Sequence, residues 1–294
     1  MTNHDLSFTT DSMDVCINNY EPYRFNYKGW TISDNYVHNE KNTRGSIYSI
    51  IVSKPNILNE EDLDDYRIKG QEIVILVTSL IPLCGLPSLN GPKYQNFANG
   101  TYIIDYKSSP KGWKTNYNEM REMYEAVKQP HIKASASFVG ISRYSVLEKS
   151  PIKELEIMMN KYKSSQDEIK FLIYLYNSIL TEESYNVYML IGKALEIINA
   201  MYPYNSNHSK TDKRIEEYFP ELKDVFKDTT IKVLIALSNT RKETRHYIKD
   251  KTNVIPHDSL SKEERIMMYR YSTCLLLNVI REKFGLPHKV IIYK

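Results

Sequence analysis

Residues 231–248 read IKVLIALSNTRKETRHYI. The segment begins as an amphipathic helix, with Leu234 and Leu237 on one apolar stripe. Arg241 falls seven residues after Leu234, on the same stripe, and Thr244, Arg245 and Ile248 continue that face. A core helix should not put a guanidinium where the next leucine belongs, because a buried unpaired charge is costly. His246 follows five residues after Arg241. The segment therefore brings an arginine and a histidine together at the edge of a helical core.

Helical patterns surround this stretch. They run over 151–162, 166–180 and 183–201, the last with Val187, Leu190, Ile191, Ala194, Leu195 and Ile198 on one face. A polar loop is expected over 202–214 and a short helix over 214–217. Ser261 and Glu264 have the spacing of a capping box. The helix they open should run to about 284 and stop at Gly285, with Pro287 just beyond.

The N-terminal half reads differently. Tyr, Phe and Trp alternate with polar residues over 23–32, with Gly29 as a turn. SIYSIIV (46–52) is β-branched and is expected to close at Pro55. Asn59 is a candidate N-cap for a helix over about 60–81, ending before Pro82, with a strand over the β-branched 73–78 as the alternative. Asn99-Gly100 leads into the strand-like TYIIDY. A short helix is expected over 118–129 and a strand over 137–147. Ser150-Pro151 marks the boundary. The fold class is therefore α+β, with a β-rich or mixed domain over 1–150 followed by an all-α domain over 151–294.

Composition sets limits. The 294 residues are 41% hydrophobic with a formal net charge of +3, enough for a real core and neutral as to nucleic acid. Charge is nevertheless local: Arg241, Lys242, Arg245, Lys249 and Lys251 face only Glu243 and Asp250 between 241 and 251. Cys16, Cys84 and Cys274 are too scattered for a disulfide framework and read as thiols in a reducing compartment. His208, His257 and His288 lack Cys or His partners at metal-ligand spacing, so neither a metal site nor a cofactor is expected. The start of the chain does not read as a signal peptide, and IVILV (73–77) is too short to span a bilayer. The expectation is a cytoplasmic protein with no membrane partner.

Arg241 and His246 within LSNTRKETRHY, preceded by Thr240 and followed by Tyr247, resemble the HEPN superfamily, most closely its Apea-like branch from bacterial anti-phage proteins. Glu196 in KALEI (193–197) and the terminal helix ending at Gly285-Leu286 add to the likeness. It covers about residues 165–294. It implies an all-α HEPN-like bundle acting as a homodimeric, metal-independent RNA endonuclease in abortive infection. Arg241 and His246 would be catalytic, with Lys242, Arg245, Glu196 and Tyr247 binding RNA or supporting the site. A phage-derived trigger or a regulatory partner would act through the N-terminal domain.

The chemistry suits the residues. Arginine, always charged and fork-shaped, fits phosphate oxygens. Histidine titrates near neutrality and can move the proton of a ribose 2′-OH. On a regular helix five residues turn about 500°, leaving the two side chains about 140° apart. They converge if the helix distorts or if two chains each supply a motif. One position departs from the family pattern: active members usually carry Asn, Asp or His after the arginine, where this chain has Lys242. The alternative reading is a non-catalytic dimerisation or nucleotide- or RNA-binding module. There Arg241 is a core-edge arginine, paired for instance with Glu196, which is expected in the apolar phase of its helix.

Overall fold

The computed structural model describes residues 4–10, 13–37, 47–57, 62–86, 102–105, 145–181, 186–204, 212–240 and 259–290. They form an α+β chain of two units, dividing between Asn160 and Lys161. The division falls inside a helix that starts just beyond the expected boundary at Ser150-Pro151.

The first unit is built on a seven-stranded sheet. Its strands are β1 (His4–Thr9), β2 (Met13–Asn19), β3 (Arg24–Tyr27), β4 (Trp30–Val37), β5 (Ile47–Ile57), β6 (Tyr102–Asp105) and β7 (Ser145–Lys149). The order is β3-β4-β5-β1-β6, with β2 pairing both β5 and β7; the β2–β7 pair is parallel and the others antiparallel. The expected turn at Gly29 joins β3 to β4, with Lys28 and Gly29 both at positive φ. Period-2 alternation puts Phe25, Trp30, Ile32, Ile50, Val52 and Phe8 on the buried face.

Pro55 does not close β5, contrary to the sequence reading. The β1–β5 register shifts between His4 and Leu6, which leaves an extra residue on the β5 side. Proline, lacking an N–H, is tolerated at such a bulge. Asn56 beside it takes φ 60°, and its N–H goes to the Asp5 carboxylate at 2.9 Å.

Helix α1 (Leu63–Leu80) packs against β1 and β5, and a short 3-10 helix carries on through Pro82 to Cys84. Its buried face is Leu63, Ile73, Val74, Val77 and Leu80, so helical phase overrides the β-branched content of 73–78. Gly70 lets the helix approach: a Cβ there would sit 2.3 Å from the Phe8 ring. The expected N-cap Asn59 lies outside the described residues, as do the helix expected over 118–129 and residues 137–144 of the expected strand. Helix α2 (Ile152–Tyr162) follows β7.

In the second unit, α3 (Asp167–Thr181), α4 (Asn186–Met201), α6 (Ile231–Thr240) and α7 (Lys262–Lys283) pack together. Helix α4 touches α3, α6 and α7. The short α5 (Arg214–Tyr218) precedes a 3-10 turn at Pro220–Leu222.

Helix α7 carries the longest buried run among the described residues of this unit. Every residue from Ser272 to Arg281 is buried. An all-round apolar run, here CLLLNVI (274–280), is the signature of a helix enclosed by others. The capping box forms as expected: Glu264 N–H donates to Ser261 Oγ at 3.1 Å and Ser261 N–H to Glu264 Oε2 at 2.8 Å. At the other end Gly285 takes φ 70° and turns the chain back. Buried Asn278 then pairs with the returning chain, donating to the Lys289 carbonyl and accepting the Lys289 N–H, at 2.8 and 2.7 Å. Fully buried Arg281 donates from Nε to the Pro287 carbonyl at 2.7 Å.

Candidate functional site

Helix α6 leads into the motif, and the structure shows how its start is held. Ile231, Leu234 and Ser238 are its buried positions, and Leu237 is only half-buried. The stripe thus runs through 231, 234 and 238 rather than 234 and 237. Thr230 Oγ1 accepts the Val233 N–H at 3.3 Å, a hydroxyl cap on the first turn.

Next to that turn lies a buried ion pair that the sequence reading assigned to a polar loop. Arg214 Nη2 is 2.9 Å from Asp212 Oδ2, with side-chain exposures of 3% and 2%. Arg214 Nε donates to Asp212 Oδ1 at 2.9 Å, so the contact is bidentate. A further Arg214 nitrogen, Nη1, donates to Asn199 Oδ1 on α4 and to the Tyr202 carbonyl, at 2.8 and 3.2 Å. The Asp212 carboxylate also accepts the Lys232 N–H of α6 at 2.7 Å. A carboxylate at that position complements the partial positive charge of a helix N-terminus.

Burial pushes the Asp212 carboxyl up, but the hydrogen bonds from Arg214 and the Lys232 amide outweigh it and hold the group below its ordinary value. With both oxygens engaged, Asp212 is placed to orient α6, not to accept a proton from a substrate. Outside this pair, Arg214 and Lys232 lie 5.3 and 5.2 Å from the Tyr204 ring centroid. A D-x-R triplet before a short helix was the only signal in the sequence, and it is a weak one.

Tyr202 forms a second polar anchor. Its hydroxyl donates to Glu282 Oε2 at 2.5 Å, tying the end of α4 to the last turn of α7. Burial first, then this bond and the Glu282 charge, raise the Tyr202 pKa well above the ordinary phenol value. Tyr218 and Phe219 meet its ring edge-on. His288 is likewise engaged: its Nδ1 is 2.7 Å from Glu221 Oε2, and this contact lowers the Glu221 pKa.

Of the residues singled out from the sequence, Arg241, Lys242, Arg245, His246 and Tyr247 lie outside the described residues. Glu196 is described, and it corrects one expectation. The buried face of α4 is Val187, Ile191, Gly192, Ala194, Leu195 and Ile198. Glu196 is exposed. The difference is one of phase: measured from Ile191, the buried Val187, Ala194, Leu195 and Ile198 lie within about 60°, whereas 196 falls about 140° away.

Among the described residues no group of three or more His, Cys, Asp or Glu could hold a metal ion, and no helix is long and apolar enough to cross a membrane. The chain matches no family model, and no curated protein or solved structure was found that matches it.

Proposed function

We propose that the helical unit is a HEPN-like RNA endonuclease that works as a homodimer without metal, with Arg241 and His246 as its catalytic pair. The observation that carries this reading is the register of α6. Ile231, Leu234 and Ser238 are buried, and in the sequence Arg241 and Arg245 come at the next three- and four-residue steps of that spacing. An arginine pair at the end of a packed stripe is where a phosphate-binding group would be needed. The order of elements also supports it: α4, a loop, short α5, then α6, a connection, and capped terminal α7.

In this reading the ribose 2′-oxygen attacks the adjacent phosphorus and the P–O5′ bond breaks. The products are a 2′,3′-cyclic phosphate and a 5′-hydroxyl. His246 moves a proton in that step, a contribution of roughly a hundred- to ten-thousand-fold in rate. Arg241 steadies the charge on the phosphate oxygens. Arg245 and Lys242 would hold neighbouring phosphates, and Tyr247 and Glu196 would support the site. Two motifs related by a two-fold axis remove the angular mismatch of a single helix. Abortive infection, triggered by a phage product or a regulatory partner acting on the first unit, is the setting this reading implies.

Lys242 favours a second reading, a bundle that dimerises or binds RNA or a nucleotide without cutting. The deciding experiment incubates purified protein with varied RNAs in the presence of a chelator. Wild type should cleave and leave cyclic phosphate ends, His246→Ala should not, and both should elute as dimers. Absence of cleavage by wild type selects the binding module; equal cleavage by the mutant removes His246 from the site.

A further inference from the structure

The first unit gathers lysines on one part of its surface. Strand β5 runs on past Ser53, whose partner on β4 is Thr31, so Lys54 arrives beside the β3–β4 turn. There its Nζ donates to the Gly29 carbonyl at 2.9 Å. The same ammonium lies 5.5 Å from the ring centroid of Tyr66 on α1. Lys69, one turn along α1, places its own Nζ 5.7 Å from that centroid. Lys28, exposed in the turn next to Gly29, rests 5.2 Å from the Tyr27 ring.

Three elements thus converge three lysines, and none of the three is within salt-bridge distance of a described carboxylate. Two nearby acids are engaged elsewhere, Asp64 holding Arg67 at 3.0 Å and Asp5 the Asn56 amide, while Asp65 and Glu72, four residues before and three after Lys69, are exposed on α1 and beyond salt-bridge distance of it. Two ammonium groups sharing one aromatic ring repel each other. The cation–π contacts offset only part of that repulsion near the surface. An anion placed between them would turn that repulsion into attraction.

The chemistry of the donors narrows the anion. Lysine is a compact point charge that serves phosphate well, whereas planar carboxylates are matched by the arginine fork. Charges spread over a turn, a strand and a helix suit a row of phosphates better than one compact ion. We propose that Lys28, Lys54 and Lys69 form a docking surface for the phosphate backbone of a nucleic-acid chain. This surface belongs to the first unit and does not depend on the nuclease reading of the second.

The test uses the full chain carrying His246→Ala, so that RNA is not consumed, and follows fluorescence anisotropy of labelled single-stranded RNA over a range of salt. Removing two phosphate contacts with Lys54→Gln and Lys69→Gln should weaken binding and flatten the plot of log K against log salt by about 1.4. Over a fourfold rise in salt, the parent should then lose about sevenfold more of its affinity than the double variant does. Lys28→Gln, at an exposed turn, should act in the same direction without touching the core. Unlabelled RNA should displace the probe, while inorganic phosphate or anionic lipid vesicles at equal phosphate concentration should not. Unchanged affinity and slope in variants with parental circular dichroism and melting overturn the proposal. So does stronger competition by vesicles or inorganic phosphate than by RNA.

Discussion

Asp34 and Ser150, far apart in the chain, are joined by a hydrogen bond from the serine hydroxyl to the Asp34 carboxylate. Asp34 sits opposite Ile50 on the apolar face of the sheet, where alternation calls for a hydrophobe. Its oxygens also take the Tyr20 hydroxyl and the Tyr23 N–H, at 3.2 and 3.0 Å. Tyr48, fully buried beside it, reaches the same serine at 3.3 Å. One carboxylate therefore ties the β2–β3 connection, β4 and the end of β7 together. Burial, followed by the Asp34 charge and hydrogen bond, pushes the Tyr20 pKa up to about 12.

The buried pair of the second unit makes the first prediction. Asp212→Ala leaves the Arg214 guanidinium buried without its carboxylate and should cost about 3–5 kcal/mol in urea unfolding. Asp212→Ala combined with Arg214→Met removes both charges and should cost less than the single change. A double variant as unstable as the sum of the two singles would mean the residues act independently.

The same carboxyl sets a pH dependence. Its folded pKa lies below its ordinary value, so the stabilisation it supplies is present above about pH 4 and is lost as pH falls through the folded value. Urea midpoints of wild type and Asp212→Asn measured from pH 7 down to pH 2.5 should converge toward the acid end. A gap that stays constant over that range contradicts the assignment.

Gly70→Ala tests the approach of α1 to the sheet. Alanine favours a helix over glycine by about 1 kcal/mol. Its Cβ, however, would press into the ring of fully buried Phe8, and overpacking typically costs about 1–3 kcal/mol. The variant should be less stable than wild type. Phe8→Leu in the same chain should recover part of the loss, giving a coupling above about 0.5 kcal/mol in a double-mutant cycle. A more stable Gly70→Ala would show that the helix shifts freely.

Ser261→Ala removes the hydroxyl that takes the Glu264 N–H at the start of α7. The expected loss is about 1 kcal/mol. Thermal melting should register it, and Ser261→Asp, which keeps an acceptor, should retain most of the stability. Equal melting of wild type and the alanine variant would mean the cap is idle in solution.

Much of this protein was legible along the chain wherever the deciding contacts are a few residues apart. The turn at Gly29, the Ser261–Glu264 box, the stop at Gly285 and the helical reading of 63–80 all rest on local geometry or a short repeat. The existence of α3, α4 and α6 follows from the same periodicity, which is why the division into a strand-rich and a helical part could be read without coordinates. Other features depended on partners distant in sequence. Pro55 stays in β5 because β1 accommodates an extra residue. Arg214 is buried because Asn199, Tyr202 and Asp212 surround it, and α7 is enclosed because three other helices cover it. Spacing sets what one element can present; which face is covered, and which charge finds its counter-charge, is settled when distant segments pack, because burial and pairing belong to neighbours rather than to any single residue.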